Sequence, residues 1–318
     1  MISQIEAWVA QEPRVLDWAA LNLPDIMPGA ERLRKSIAEG FHADMQWLAD
    51  TLELRIHPRT VRSCAQSAVL FLWSYPQPLR KLDDSAEVNI AAFAQGEDYH
   101  RTLSIWIKDV VNQLIVADPT LEVQGFVDAF PVMERELAVL AGLGWIGKNS
   151  LLLHRKHGSA FVIGGFLCNR EVIKPSLHTP RQEFCGTCRR CIDACPSAAI
   201  TDERSVDARK CTSYLTIEKR GEFSDQESQN LSGWIFGCDI CQVVCPWNAR
   251  TLAETTTPFW PTTMNEWDHL LQPGNGLRAK LKGTALDRAG RKGLARNFQT
   301  LCVQKKTSEN PRSNIINQ

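Results

Sequence analysis

The chain of 318 residues has room for two or three domains of ordinary size. Its 44% apolar content supports a normal buried core, and no apolar run reaches the length of a membrane span. Thirty-six basic residues balance thirty-six acidic ones, so no whole-molecule field draws the protein to nucleic acid or to a membrane, and any such binding rests on a local patch.

The opening MISQIEAWVAQEP spaces Ile2, Ile5, Trp8 and Val9 for an amphipathic helix, not for the unbroken apolar stretch of a signal peptide. SAVLFLWSY from Ser67 reads as a buried strand, DYHRTLSIWIKDVVNQLI from Asp98 has helical spacing, and LEVQGFVD alternates like a strand that ends on Asp128. Pro131 suits the first turn of a helix through PVMERELAVLAG, which Gly142 closes. SLLL and SAFVIGGFL flank the turn-like KHGS as a hairpin. IKPSLHTPRQE, rich in proline and polar residues, marks a boundary before the cysteine-rich region, which closes at CPWN. TTTPFWPTT is linker-like, and from about Trp267 the chain is basic and weakly helical. The expected division is residues 1–178, 179–250 and 251–318.

AGLGWIGKNS contains G-x-G-x-x-G at Gly142, Gly144 and Gly147 and almost spells a phosphate loop. It follows a helix rather than a strand, and Asn149 stands where a phosphate loop needs Ser or Thr. The glycines read either as a helix end that permits close packing, or as a loop that holds another cofactor through its amides, Lys148 and Asn149.

Eleven cysteines sit in a chain that reads as cytosolic, where clustered thiols bind metal more often than they form disulfides. Cys185, Cys188, Cys191 and Cys195, followed by Pro196, have the C-x2-C-x2-C-x3-C-P spacing of two-cluster ferredoxins, in which the fourth cysteine serves the other cluster. Cys238, Cys241 and Cys245 before Pro246 repeat most of it, and Cys211 supplies the missing member. One 4Fe-4S cluster is therefore expected on Cys185, Cys188, Cys191 and Cys245, the other on Cys195, Cys211, Cys238 and Cys241. Two structural zinc sites would also use C-x2-C pairs, but zinc explains neither the third evenly spaced cysteine nor the paired CP endings. Cys64, Cys168 and Cys302 read as ordinary packed or surface thiols.

DYH at 98–100, VDAFPVMERELAVLAGLGWIGKNSLL from Val127, CGTCRRCIDACPSAAI from Cys185, DARKCTSYLTIEKRGEF from Asp207 and GCDICQVVCPWN from Gly237 resemble the epoxyqueuosine reductase family, from about Gly40 to about Asn297. The resemblance implies an α+β fold: a nitroreductase-like N-terminal cobalamin-binding domain, a ferredoxin-like two-cluster domain and a helical tail, here short. It also implies two-electron deoxygenation of the epoxide of epoxyqueuosine in tRNA, with Asp128 as proton donor and the eight cysteines as cluster ligands. Arg55, His100, Asp128, Arg135, Lys148, Asn149, Ser213, Thr216 and Asp239 stand in motifs that line the family's cobalamin pocket or its approach to a cluster.

Removing an epoxide oxygen takes two electrons and protons, so one-electron stores must meet a centre that delivers a pair, as reduced cobalamin does. The histidine-on motif D-x-H-x-x-G is incomplete, because Leu103 occupies the glycine position after Asp98 and His100. Base-off cobalamin without a histidine ligand is the expectation. Burial of Asp128 against an apolar surface would have to raise its pKa for it to give up a proton near neutral pH. Between Arg278 and Lys306, nine Lys or Arg stand against the single acid Asp287, an expected tRNA phosphate patch with Arg288, Arg291, Lys292 and Arg296 in it. The expected partners are tRNA carrying epoxyqueuosine and a low-potential electron donor, for a cytoplasmic monomer with no membrane contact. A reductive dehalogenase-like enzyme and a two-cluster electron carrier are the alternatives; the length of chain before Cys185 argues against a simple carrier.

Overall fold

The computed structural model describes residues 1–81, 86–174, 183–202, 204–254 and 256–309. Its strands are β1 (Val15–Asn22), β2 (Ser67–Ser74), β3 (Asn89–Ile90), β4 (Val123–Val127), β5 (Trp145–Ile146), β6 (Leu152–Leu153), β7 (Phe161–Cys168) and β8 (Trp234–Phe236). β1, β2, β7 and β4 form an antiparallel sheet in that order.

β2 is almost wholly apolar because both of its faces are covered. Ala68, Leu70 and Leu72 point to Leu137 and Ala138 of the helix Glu134–Leu140. Val69, Phe71 and Trp73 point the other way, to Leu103, Ile107, Val110 and Leu114 of the helix Tyr99–Ala117. Gly164 and Gly165 in β7 let these layers close up: a Cβ on Gly165 would clash with the Val69 carbonyl, and one on Gly164 would stand 2.7 Å from the Leu103 side chain. The Asp98 carboxylate accepts from the His100 amide and caps the helix Tyr99–Ala117. That cap sets Tyr99 and His100 at the end of the sheet, where β4 stops and Asp128 begins.

The N-terminal helix Ile2–Gln11 and the elements around β2, Tyr99–Ala117 and β4 match the sequence expectation. Two local expectations do not hold. The helix after β4 begins at Glu134 rather than Pro131, because Val132 N turns back to the Phe130 carbonyl first. SLLL does not form a hairpin with β7: β6 pairs with β5, and both long edges of β7 are taken by β2 and β4.

A further core gathers Val88, Ile90 and Ala94, then Leu215, Leu231 and Phe236, then Trp260, Trp267, Leu294 and Phe298. The basic tail is thus the wall of a shared core, with the helix Gly290–Glu309 packed on β8, which itself pairs with β3. This packing crosses the expected division at 250/251; the division at 178/179, within IKPSLHTPRQE, lies outside the described residues. Among the described residues no helix is long and apolar enough to cross a membrane.

Candidate active site

Two short helices, Arg190–Asp193 and Ile240–Val243, pack against each other, and each carries one cysteine of its motif, Cys191 or Cys241, just before the Cys-Pro turn. Charges on Cys185 and Cys245 act on Cys191, and those on Cys185 and Cys188 act on Cys245. Cys211 and Cys195 act in the same way on Cys238, and Cys238 and Cys211 on Cys241. Cys185, Cys188, Cys191 and Cys245 thus lie within electrostatic reach of one another, as do Cys195, Cys211, Cys238 and Cys241, and Cys191 also acts on Cys241.

Burial pushes the thiols of Cys211, Cys238 and Cys241 up, so four thiolates here need a strong positive centre among them. Among the described residues no three His, Cys, Asp or Glu side chains converge at single-ion spacing; a cubane binds each thiolate to a different iron and spreads its ligands wider. Amides of Ser213 and Tyr214 aim at the Cys211 sulfur, and Ala199 N lies 3.3 Å from the Cys195 sulfur, contacts of the kind that tune a cluster's potential. The residues fit a pair of 4Fe-4S clusters.

AGLGWIGKNS braces this cradle. Gly144 passes so close to the Leu153 carbonyl that any Cβ would clash. Lys148 Nζ donates to the Gly186 carbonyl at 2.8 Å, and Asn149 Nδ2 reaches the Cys241 carbonyl at 3.4 Å. Trp145, Phe184 and Trp247 pack edge to face beside the first group, with the Trp145 ring 4.9 Å from Phe184 and 4.8 Å from Trp247.

A cavity of about 1380 Å³ opens between the sheet end and the second cysteine group, larger than the roughly 300–1,000 Å³ usual for small-ligand sites. Cys195, Cys211, Cys238 and Cys241 line one side; Asp128, His100 and Tyr99 line another. Arg55, Arg135, Asn149, Ser213 and Asp239 also line it. Lys148 does not, because its amine is spent on the cluster loop. Thr216 is fully buried: its hydroxyl donates to the Thr212 carbonyl and accepts from Gly237 N, anchoring the approach to Cys238.

Asp128 has a φ of 51°, in the left-handed region, and Ala129 N bonds the Val127 carbonyl across it. This strained turn swings the carboxylate out of line with β4 into the cavity. Its Oδ2 lies 2.7 Å from His100 Nε2 and accepts from the Tyr99 hydroxyl at 3.0 Å, while His100 Nδ1 lies 2.8 Å from Asp98 Oδ1. Burial by itself would push Asp128 up, but the His100 hydrogen bond and charge, Tyr99 and Arg55 outweigh it and hold the carboxyl below its usual value. Burial would lower His100, yet the two carboxylates raise it to about 9. Both shifts favour an Asp128 carboxylate beside a His100 imidazolium, the opposite direction from the raised Asp128 that direct proton donation needs, because the charged partner outweighs desolvation.

Three participants were not read from the sequence. Tyr99, already in the DYH motif, bonds Asp128. Glu134 lines the cavity, and burial first, then the Asp128 charge, raises it to about 7 against its own amide, Arg55 and Arg135. Asp98 orients His100. Only the fold brings Glu134 beside Arg55, whose buried guanidinium donates to the Thr51 hydroxyl and the Val132 carbonyl.

Three arginines of the expected tRNA patch also make bonds within the fold. Arg296 donates to the carbonyls of Leu215, Lys219 and Gly221 and lies 4.0 Å above the Phe223 ring, so it holds the core together. Arg288 is paired with Glu218 at 2.7 Å beside the cavity, and Arg291 donates to the Leu271 carbonyl.

A store of single electrons facing, across one cavity, a charged acid–base pair is the arrangement of an iron–sulfur oxidoreductase. Residues 184–248 match the 4Fe-4S double cluster binding domain, and residues 55–129 match the family described as Epoxyqueuosine reductase QueG, DUF1730. The epoxyqueuosine reductase of Cyclobacterium marinum is 37% identical over 275 residues, 85% of this chain and 86% of its own. That of Leadbetterella byssophila is 36% identical over 306 residues, 93% of this chain and 96% of its own. The fold is similar to that of an epoxyqueuosine reductase solved with an epoxyqueuosine-modified tRNA-Tyr stem loop, with a TM-score of 0.80 at 22% identity over 98% of this chain and 83% of the other. The chain belongs to the epoxyqueuosine reductase family of oxidoreductases.

Proposed function

We propose that this protein removes the epoxide oxygen of epoxyqueuosine in tRNA, giving the cyclopentene of queuosine and water. Both carbon–oxygen bonds of the epoxide break, two electrons enter, and two protons leave with the oxygen as water. The single observation that carries the proposal is the shared cavity, which joins four cluster cysteines to Asp128 and His100.

The proposed ligand sets are Cys185, Cys188, Cys191 and Cys245, and Cys195, Cys211, Cys238 and Cys241. The cavity fits a base-off cobalamin: it is large, and both ring nitrogens of His100 are engaged by carboxylates, leaving neither for cobalt. His42 adds a buried Nδ1 without a partner among the described residues on the cavity wall. Arg55, Arg135, Asn149, Ser213 and Asp239 would hold the cofactor. When bound, cobalamin supplies a centre able to deliver an electron pair to carbon, and the clusters supply those electrons one at a time.

The chain's own part is proton supply and orientation. Asp128 faces the cavity with its side chain 59% exposed, so it can reach a substrate oxygen. His100 holds a proton 2.7 Å behind it, and as negative charge develops on the epoxide oxygen that proton passes through Asp128. Asp98 keeps the imidazole in place and stabilises its charge. The second proton needs a second source, and Glu134, raised to about 7 by burial in the same cavity, is a candidate acid. A tRNA substrate favours the cytoplasm as the setting of this work.

The test is anaerobic titration of the cluster-loaded protein with cobalamin, followed by one turnover on epoxyqueuosine-containing tRNA and mass spectrometry of the nucleosides. Corrinoid uptake with conversion to queuosine is expected. Full cluster loading with no corrinoid uptake and no queuosine would overturn the proposal.

A further inference from the structure

The two cysteine groups differ in where they lie. The second group lines the cavity, which the reaction occupies, whereas the first group reaches the surface through the exposed Gly186 and Thr187 between Cys185 and Cys188. Electrons must arrive at the outer group.

The charge around that outer group is lopsided, although the whole chain is balanced. Arg189 is neutralised by Asp202 at 2.6 Å and Asp193 at 3.5 Å, and Glu183 is taken by Arg204. Four cations have no carboxylate partner among the described residues. Lys148 is bonded to the Gly186 carbonyl, and Arg155 lies 5.5 Å over the Phe184 ring, next to Cys185. Lys156 follows Arg155, and Arg190 sits between Cys188 and Cys191; both are exposed. A tRNA presenting its modified base to Asp128 approaches through the cavity, so this face is left for another partner.

We infer that the surface over the Cys185 group, marked by Arg155, Lys156 and Arg190, docks a small acidic one-electron carrier protein of the flavodoxin type. The charges steer the encounter. The inference rests on the ligand sets proposed above but not on the substrate, since the electron moves from the carrier's reduced cofactor to the outer cluster whether or not tRNA is bound. In each transfer the carrier is oxidised by one electron and the cluster reduced by one.

The experiment mixes cluster-loaded protein with purified reduced flavodoxin and follows cluster bleaching by stopped-flow absorbance across salt concentrations, alongside dithionite as a small reductant. Two charge reversals are compared: Arg155→Glu with Lys156→Glu, and Arg190→Glu. The first pair stands off the ligand loop and so keeps the test valid if Arg190→Glu disturbs cluster loading. Expected is a fall of about tenfold to a hundredfold in the second-order rate at low salt, with a flatter salt dependence. Reduction by dithionite, iron content and tRNA affinity stay unchanged. An unaltered flavodoxin rate and salt slope in the Arg155/Lys156 variant would overturn the inference. So would a loss of tRNA affinity with carrier reduction intact, which would make this face an RNA contact.

Discussion

Replacing Asp128 with Asn removes one of the two carboxylates that hold the His100 proton while keeping the side chain's shape. His100 stands at about 9 because burial, which lowers it, is overcome by Asp128 at 2.7 Å and Asp98 at 2.8 Å. With Asp98 alone, the imidazole should titrate below the present value, nearer that of a free histidine. His100 is raised on folding, so the stability it contributes is complete below about 6.5 and is lost as the pH rises through about 9. The full shift would convert to roughly 3 kcal/mol. With the ring 42% exposed, solvent screening leaves about 1 kcal/mol. The assay is histidine NMR of the protein with both clusters oxidised, beside single-turnover rates on loaded enzyme. Turnover should fall by about a hundredfold to ten-thousandfold, the usual reach of general acid catalysis, with cluster content unchanged. If His100 in the variant still titrated near 9, Asp128 would not be the partner that holds the proton, and the relay through it would fail.

Glu134→Gln tests the second acid: Glu134 is raised to about 7, so its contribution to stability is lost as the pH rises through that value, and the variant should melt above the wild type at pH 8 but not at pH 5. The same variant should lose any limb of the single-turnover pH profile near 7; an unchanged profile removes Glu134 from proton supply. Cys195→Ala should cut iron from about eight to about four per chain and spare the cluster on Cys185, as iron assay and EPR would show; loss of the Cys185 cluster alone would refute the crosswise sets. Arg296→Ala should cost about 2–3 kcal/mol in denaturant unfolding, through lost charge-assisted bonds to three carbonyls, and leave the salt dependence of tRNA binding as it was.

Much of the molecule was legible in the chain because its determinants are local. A buried strand declares itself by an apolar run, and β2 did; a helix of nineteen residues declares itself by its period, and Tyr99–Ala117 did. The two-cluster domain was readable because cluster ligands keep fixed spacings within a motif. Short segments were harder. SLLL has the pattern of any buried strand, and its pairing with β5 instead of β7 depends on which edges β2 and β4 had already filled. Arg296 has the look of a surface charge, and only the approach of the 215–221 carbonyls and the Phe223 ring makes it internal.

The protonation of the site belongs wholly to tertiary structure. Asp98, His100, Asp128 and Glu134 are all visible as residue types, but a pKa depends on distances and solvent, and those follow from where the sheet ends, how the Asp98 cap aims the imidazole and how the turn at Asp128 bends. By itself the sequence pointed to two clusters, proposed eight thiols to hold them, and showed the family that the chain resembles. Only the fold holds Asp128 below its usual value and raises His100, because a charged hydrogen bond 2.7 Å away outweighs desolvation, and no spacing along a chain carries that distance.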